Sequence, residues 1–285
     1  MNVAPLSKDE MTSWSRFIHE ICGVYLDDSK GYLIETRLAA LMRDTGSGGW
    51  AELLYKVRGD PGSTLRTKVI NAITTNETSF FRDTSPFDLL KHKLFPELID
   101  RRNKSGLKPV PIRILSAACS TGQEAYSTII VLKDLLGSFQ GYDIRILGLD
   151  ISDAAIAKAS YAHFTRMELD RGMTTENLAR FFEPVGDTWK VRDELRATAT
   201  FRRVNLLEPI ASPSPFDIIF CRNVAIYFTE PDKIRLFRNL GQTLAKDGAL
   251  IIGSTESITG LCPEFESQRY LRSVFYKRKE GVRND

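Results

Sequence analysis

Three largely apolar runs beyond residue 110 of this 285-residue chain each end in side chains able to hold a ligand. Ile112–Ser116 runs into Ala117-Ala118-Cys119-Ser120-Thr121-Gly122, whose small side chains let the backbone approach a bound nucleotide. This loop lacks the three glycines of a dinucleotide fingerprint, which argues against NAD and for a ligand without a pyrophosphate. Ile146-Leu147-Gly148-Leu149-Asp150 closes on a carboxylate placed to accept both ribose hydroxyls of an adenosine. The alternative role for Asp150 is a helix N-cap, a task that Ser152 or Asp153 would also fill. Phe216–Cys221 ends in Arg222-Asn223, followed by Val224-Ala225-Ile226-Tyr227-Phe228, and sets polar groups at the same edge. Together these features describe a pocket for S-adenosylmethionine. The Asn-Pro-Pro-Tyr of amino-directed nucleic-acid methyltransferases is absent, which weakens a nucleic-acid reading.

Strands and helices must alternate to put these ends together. Ile112–Ser116, Ile144–Asp150, Phe201–Asn205, Phe216–Cys221 and Ala249–Gly253 read as strands, with helices at Gln123–Leu136 and Asp153–Ser160. That order predicts parallel βαβ units and a Rossmann-like α/β sheet. Tyr270–Lys277 alternates like a closing antiparallel strand, and Glu183–Phe201, with its Gly186-Asp187 turn, reads as a small inserted β-subdomain. Before the sheet, Trp14, Phe17, Ile18 and Ile21, then Ile34, Leu38, Leu41 and Met42, then Leu65, Val69, Ala72 and Ile73, recur at helical spacing. An N-terminal all-α domain over 1–85 and a catalytic domain over 86–285, with the insertion near 183–201, are expected. Asp83–Lys108 is the charged, helical connection.

Composition narrows the class. Hydrophobic residues at 42% and charged residues at 26% suit a soluble globular protein. The sequence has no apolar run of about 18 residues and no signal-peptide pattern at its start, so a cytoplasmic protein without membrane insertion is expected. Cys22, Cys119, Cys221 and Cys262 are scattered, as are His19, His92 and His163, so reduced thiols and no metal site are expected. A net charge of +3 is too mild to argue for nucleic acid but suits an acidic partner surface. Lys30 and Arg37, seven apart, would share a helix face in such docking, whereas Arg43 lies nearer another face; solvated helix charges account for them equally well.

Four blocks then converge on one family: Thr75-Asn76-Glu77-Thr78-Ser79-Phe80-Phe81-Arg82, Ala118 to Ser127, Asp217 to Phe228, and Gly248 to Glu256. The sequence resembles the CheR-type chemotaxis receptor methyltransferases from about residue 10 onward, and the first block is the most specific. The resemblance implies methyl transfer from S-adenosylmethionine to receptor glutamates, with S-adenosylhomocysteine as product. By position, it implies that Asn76, Thr78 and Arg82 reach the cofactor from the helical domain. It assigns Glu124 and Asp150 to the first two βα units, and Asn205, Leu206, Arg222 and Asn223 to the adenine and methionine portions. Arg82 and Tyr227 match residues near the transferred methyl group. Their alternatives are an ion pair of Arg82 with Glu77 or Asp83, and a half-buried core aromatic. Phe80 and Phe81 read as packing residues and Cys119 as a small filler. The partners implied are the cytoplasmic helices of chemotaxis receptors and, as functional counterpart, a receptor methylesterase.

Two departures stand out. Gln123-Glu124-Ala125-Tyr126 replaces the family's Glu-Glu-Pro-Tyr, and Gly253-Ser254-Thr255-Glu256 replaces Gly-His-Ser-Glu, which removes a catalytic histidine there. Glu183–Asp193 is a few residues shorter than in members that bind a receptor's C-terminal tether, so tether independence is expected. A same-fold enzyme acting on a small molecule or RNA, and a non-catalytic nucleotide-sensing module, are the competing readings.

Overall fold

The computed structural model describes residues 5–279; the chain ends at 1–4 and 280–285, which fall within the two expected domains, lie outside the described residues. Helix α1 (Lys8–Cys22) begins at a capping box between Ser7 and Glu10 and stops at Gly23 in a left-handed conformation. With α2 (Gly31–Asp44), α3 (Trp50–Arg58) and α4 (Thr64–Ile73) it encloses a core that includes Trp14, Ile34, Leu38, Leu53 and Val69, all inaccessible to solvent. Residues 74–83 form no regular element. Helices α5 (Thr84–Leu89) and α6 (Phe95–Lys104), joined by a π-helical turn at Leu90–Leu94, lead to the sheet.

Strand β1 (Val110–Ala117) is followed by α7 (Gln123–Leu136), β2 (Tyr142–Asp150) and α8 (Asp153–Tyr161). After β3 (His163–Thr165) come α9 (Arg166–Asp170), α10 (Thr175–Phe181), β4 (Phe182–Val185), β5 (Thr188–Val191), α11 (Asp193–Arg196) and β6 (Ala199–Arg203). The chain ends with β7 (Phe216–Cys221), α12 (Glu230–Thr243), β8 (Leu244–Ile252), β9 (Phe265–Tyr270) and β10 (Ser273–Arg278). The seven-stranded sheet has the order β6-β2-β1-β7-β8-β10-β9. Its first five strands pair in parallel, and β10 is antiparallel to both neighbours. The strand order reverses at β1, so the crevice lies at the carboxyl ends of β2, β1 and β7.

Three expectations need correction. The closing strand is a hairpin: β9 and β10 meet through Leu271-Arg272, and Leu271 holds a φ of 51°. The small sheet is wider in sequence than residues 183–201, because β3 joins it in the order β3-β5-β4. The core strand expected at Phe201–Asn205 does pair with β2 in the main sheet but runs over Ala199–Arg203, so residues 199–201 leave the insertion and Asn205 lies beyond the strand. Among the described residues no helix is long and apolar enough to cross a membrane.

Candidate functional site

The carboxyl ends of β1, β2 and β7 open onto a cleft that residues 73–79 of the helical side also line. The floor is the loop after β1, where Ala118, Ser120 and Gly122 adopt φ values of 58°, 49° and 94°. A Cβ on Gly122 would press against Ala159 of α8, so glycine is needed for both its φ and its packing.

Asp150 pins this loop. Its Oδ2 accepts the Ser120 N–H at 2.8 Å and its Oδ1 the Ser152 N–H at 2.9 Å. Ser152, not Asp150, caps α8, with Oγ accepting the Ala155 N–H at 3.2 Å. Burial raises the Asp150 pKa above the ordinary aspartate value, against the lowering effect of the Ser152, Ser120 and Ile151 N–H groups. A carboxylate has about four lone-pair sites, so acceptor capacity remains on both oxygens. A vicinal diol such as a ribose matches it.

Arg222 is the hub of the opposite wall. Its side chain is 2% exposed. Nη1 donates to Glu124 Oε2 at 3.1 Å, and Nη2 donates to Asp83 Oδ2 at 2.9 Å and to the Arg82 carbonyl at 2.7 Å. Glu124 Oε1 accepts the Ser116 hydroxyl at 2.7 Å. Among the described residues the Arg222 Nε has no hydrogen-bond partner and is buried.

Residues 74–82 cover the cleft. Ser120 Oγ donates to the Asn76 carbonyl at 3.1 Å, and the Phe81 N–H donates to Ser127 Oγ at 3.0 Å. Phe80 is inaccessible and meets Phe164 of β3 and Phe182 of β4 edge to face, so it anchors the segment in the small sheet. Phe81 packs against Phe87. Both therefore pack as expected from sequence. Arg82 Nη1 donates to the Glu77 carbonyl at 3.0 Å, whereas the Glu77 carboxylate pairs with Arg171 and Asp83 with Arg222. Arg82 thus lines the cleft without the ion pair considered for it.

On the remaining side, the Val204 N–H donates to the Asp150 carbonyl at 2.8 Å and turns the chain into Asn205-Leu206. Asn205 Oδ1 accepts the Leu207 N–H at 3.0 Å, and Asn239 Nδ2 donates to the Leu206 carbonyl at 3.1 Å. Asn223 has a φ of 57°. Tyr227 closes the short turn Ala225–Tyr227, and its carbonyl accepts the Tyr25 N–H at 2.9 Å. Asn76, Thr78, Arg82, Glu124, Asp150, Asn205, Leu206, Arg222, Asn223 and Tyr227 all line this one cleft.

Comparison with known proteins decides the family. Residues 76–272 match the CheR methyltransferase SAM binding domain, and residues 9–74 match the CheR methyltransferase all-alpha domain. The chain belongs to the CheR methyltransferase family. It is 36% identical to the chemotaxis protein methyltransferase Cher2 of Pseudomonas putida, over 92% of this chain and 95% of that protein. Identity to the chemotaxis protein methyltransferase of Vibrio parahaemolyticus is 36%, over 98% and 100%. For the Borreliella burgdorferi chemotaxis protein methyltransferase it is 30%, over 96% and 95%. The protein is accordingly an S-adenosylmethionine-dependent methyltransferase of the chemotaxis type.

Several residues that shape this CheR cleft carry no signal in the sequence. Asp83 and Ser116 hold Arg222 and Glu124 in place, and Asn71 Oδ1 accepts the Ser152 hydroxyl at 2.9 Å. Cys22 and Val24, at the end of α1, line the cleft although nothing in their spacing marks them. Arg37, read as a docking charge, donates instead to the Ile73 carbonyl and to Thr75 Oγ1, and Lys30 sits in a short turn before α2. Cys119 lines the cleft, but burial and the nearby Asp150 and Glu124 carboxylates push its thiol well above the usual range. Among the described residues no cluster of His, Cys, Asp and Glu is placed to hold a metal ion.

Proposed function

We propose that the protein methylates glutamate side chains on the cytoplasmic helices of chemotaxis receptors. The observation that carries this reading is the entry of the Asn76–Arg82 segment, from the helical side, into the cleft that also contains Tyr227. When bound, S-adenosylmethionine supplies an electrophilic methyl group and leaves as S-adenosylhomocysteine. Asp150 would hold the ribose, Asn205 and Leu206 the adenine side, and Glu124, Arg222 and Asn223 the amino-acid side. Asn76 and Thr78 would close over it.

The acceptor needs no base, since a glutamate with a pKa of about 4.3 is ionised at neutral pH. The chain's task is to strip water from the carboxylate and aim it. Arg82, with no carboxylate partner among the described residues, orients the acceptor through charge-assisted hydrogen bonds. Tyr227 offers a hydroxyl at the same rim.

The division into units at 1–85 and 86–285 belongs to the same reading, supported by the separate core of the first four helices. So do a cytoplasmic location, a receptor methylesterase as counterpart, and independence from a receptor tether, for which the two-residue Gly186-Asp187 link between β4 and β5 speaks. Micromolar binding of a receptor tail peptide to the small sheet would overturn the last point.

Incubation with labelled S-adenosylmethionine and a receptor cytoplasmic fragment tests the whole. Base-labile methyl esters on glutamate are expected. No label despite measurable cofactor binding would overturn it in favour of a sensing module.

A further inference from the structure

Asp150 is gripped by two loops at once. Its Oδ2 accepts the Ser120 N–H at 2.8 Å, from the loop after β1, and its Oδ1 accepts the Ser152 N–H at 2.9 Å, from the turn into α8. The hydroxyls of these same two serines reach across to the helical side. Ser120 Oγ donates to the Asn76 carbonyl at 3.1 Å. Ser152 Oγ donates at 2.9 Å to Oδ1 of Asn71, in the last turn of α4. Ser152 Oγ also accepts the Ala155 N–H at 3.2 Å, so both of its hydrogen-bonding directions are engaged. Ser152 is inaccessible to solvent, so bulk water does not replace a lost acceptor there. Around this contact α4 packs on α8, and Ile151 packs against the helical core. Asn71 is not among the described residues that line the cleft. Its link to a bound ligand runs through Ser152 and Asp150.

We propose that Asn71 is a positioning residue of the cofactor site: with Ser120 and Ser152 it forms a clamp by which the helical side aims the Asp150 carboxylate. This inference rests on the assignment of Asp150 to the ribose. A carboxylate that accepts from two vicinal hydroxyls must be held within about 0.5 Å of its productive placement. Both N–H donors that fix this placement are braced from the helical side, one by a backbone carbonyl and one by a side chain. When α4 backs away from α8, Ser152 is free to turn, and Asp150 turns with it. The coupling is reciprocal, so a cofactor held by Asp150 tightens the seating of α4 on α8. The clamp makes seating of the helical domain a condition of tight cofactor binding.

The test is a double-mutant cycle on the full-length protein, read by calorimetric titration with S-adenosylhomocysteine. Asn71→Ala should weaken binding about tenfold, the scale for orphaning one buried hydroxyl. In the Asp150→Asn background the same change should add less than about twofold, because the group it aims is already gone. In turnover with a receptor fragment, Asn71→Ala should raise KM for S-adenosylmethionine and leave kcat nearly unchanged. Ser120→Ala probes the other arm in the same cycle and keeps the clamp testable if Asn71→Ala does not fold. Unchanged affinity in Asn71→Ala, or an equal loss in both backgrounds for either variant, overturns the clamp while leaving Asp150 at the ribose. Native affinity in Asp150→Asn alone overturns that assignment, and the clamp with it.

Discussion

Arg222 and Glu124, 98 residues apart in the chain, meet at 3.1 Å between Nη1 and Oε2 and tie the end of β7 to the first turn of α7. The same guanidinium holds the Arg82 carbonyl and Asp83, so one buried cation fixes three walls of the cleft. Loss of one partner of a buried pair costs about 3–5 kcal/mol, because the other charge is left uncompensated. Arg222→Met should therefore lower the unfolding free energy by about 3 kcal/mol and abolish detectable cofactor binding. Denaturant unfolding and calorimetric titration with S-adenosylhomocysteine check both.

Arg82→Ala removes a side chain whose one described bond is to the Glu77 carbonyl, so the fold should survive. Transfer to a receptor fragment should fall roughly 10²-fold or more, the scale for losing an oriented electrostatic contact. Cofactor affinity should fall far less. Unchanged turnover would remove Arg82 from the acceptor site.

Gly172 lies against the Phe80 carbonyl with a φ of 125°, and a methyl group there would overlap that oxygen. Gly172→Ala forces either the α9–α10 link or the cover segment to shift. Strain of this kind costs about 1–3 kcal/mol. A lower melting temperature and weaker S-adenosylhomocysteine binding are expected together, since Phe80 sits in the segment that carries Asn76 and Arg82.

Much of this arrangement is legible in the sequence, and the rest fails for local reasons. Phe216–Cys221 coincides with β7 because its apolar residues, interrupted only by Asp217, are bounded by polar ones and by Pro215. Gln123–Leu136 coincides with α7, opened by Gly122 and closed by Gly137. The β9–β10 hairpin hides because a leucine, at Leu271, takes the left-handed turn position where Gly or Asn would signal it. β3, three residues long, carries too little pattern to register. The motifs locate the cleft residues, but not that Arg222 is buried and Arg82 is held through its carbonyl. Those facts depend on partners distant in sequence.

Asp150 gives the site a pH dependence on the acid side. Its folded pKa is raised, so the native protein takes up this proton more readily than the unfolded chain does. The ionised group therefore costs stability as pH rises from the unfolded value of 3.8 through the folded one, and acid relieves that cost. Ligand binding runs the other way, because only the carboxylate accepts from two hydroxyls. Affinity for S-adenosylhomocysteine should fall as pH drops toward that raised value, at a higher pH than for a free aspartate. Asp150→Asn should bind weakly throughout and lose that dependence; an unchanged acid limb would assign it to another group.

Glu256 is the last residue whose role can be isolated. Its Oε2 accepts the N–H groups of Asn223 at 2.7 Å and Gly253 at 2.9 Å, clamping the ends of adjacent strands β7 and β8. A positive φ at Asn223 is maintained only by such surroundings. Glu256→Ala leaves both N–H groups without this acceptor, at about 1–3 kcal/mol each where water is excluded. KM for S-adenosylmethionine should rise about tenfold while KM for the receptor fragment stays unchanged, because the proposed function assigns Asn223 to the cofactor. Glu256→Gln keeps an oxygen able to accept both bonds and should restore most of the affinity. If glutamine fails as badly as alanine, the negative charge rather than the clamp is what the site requires.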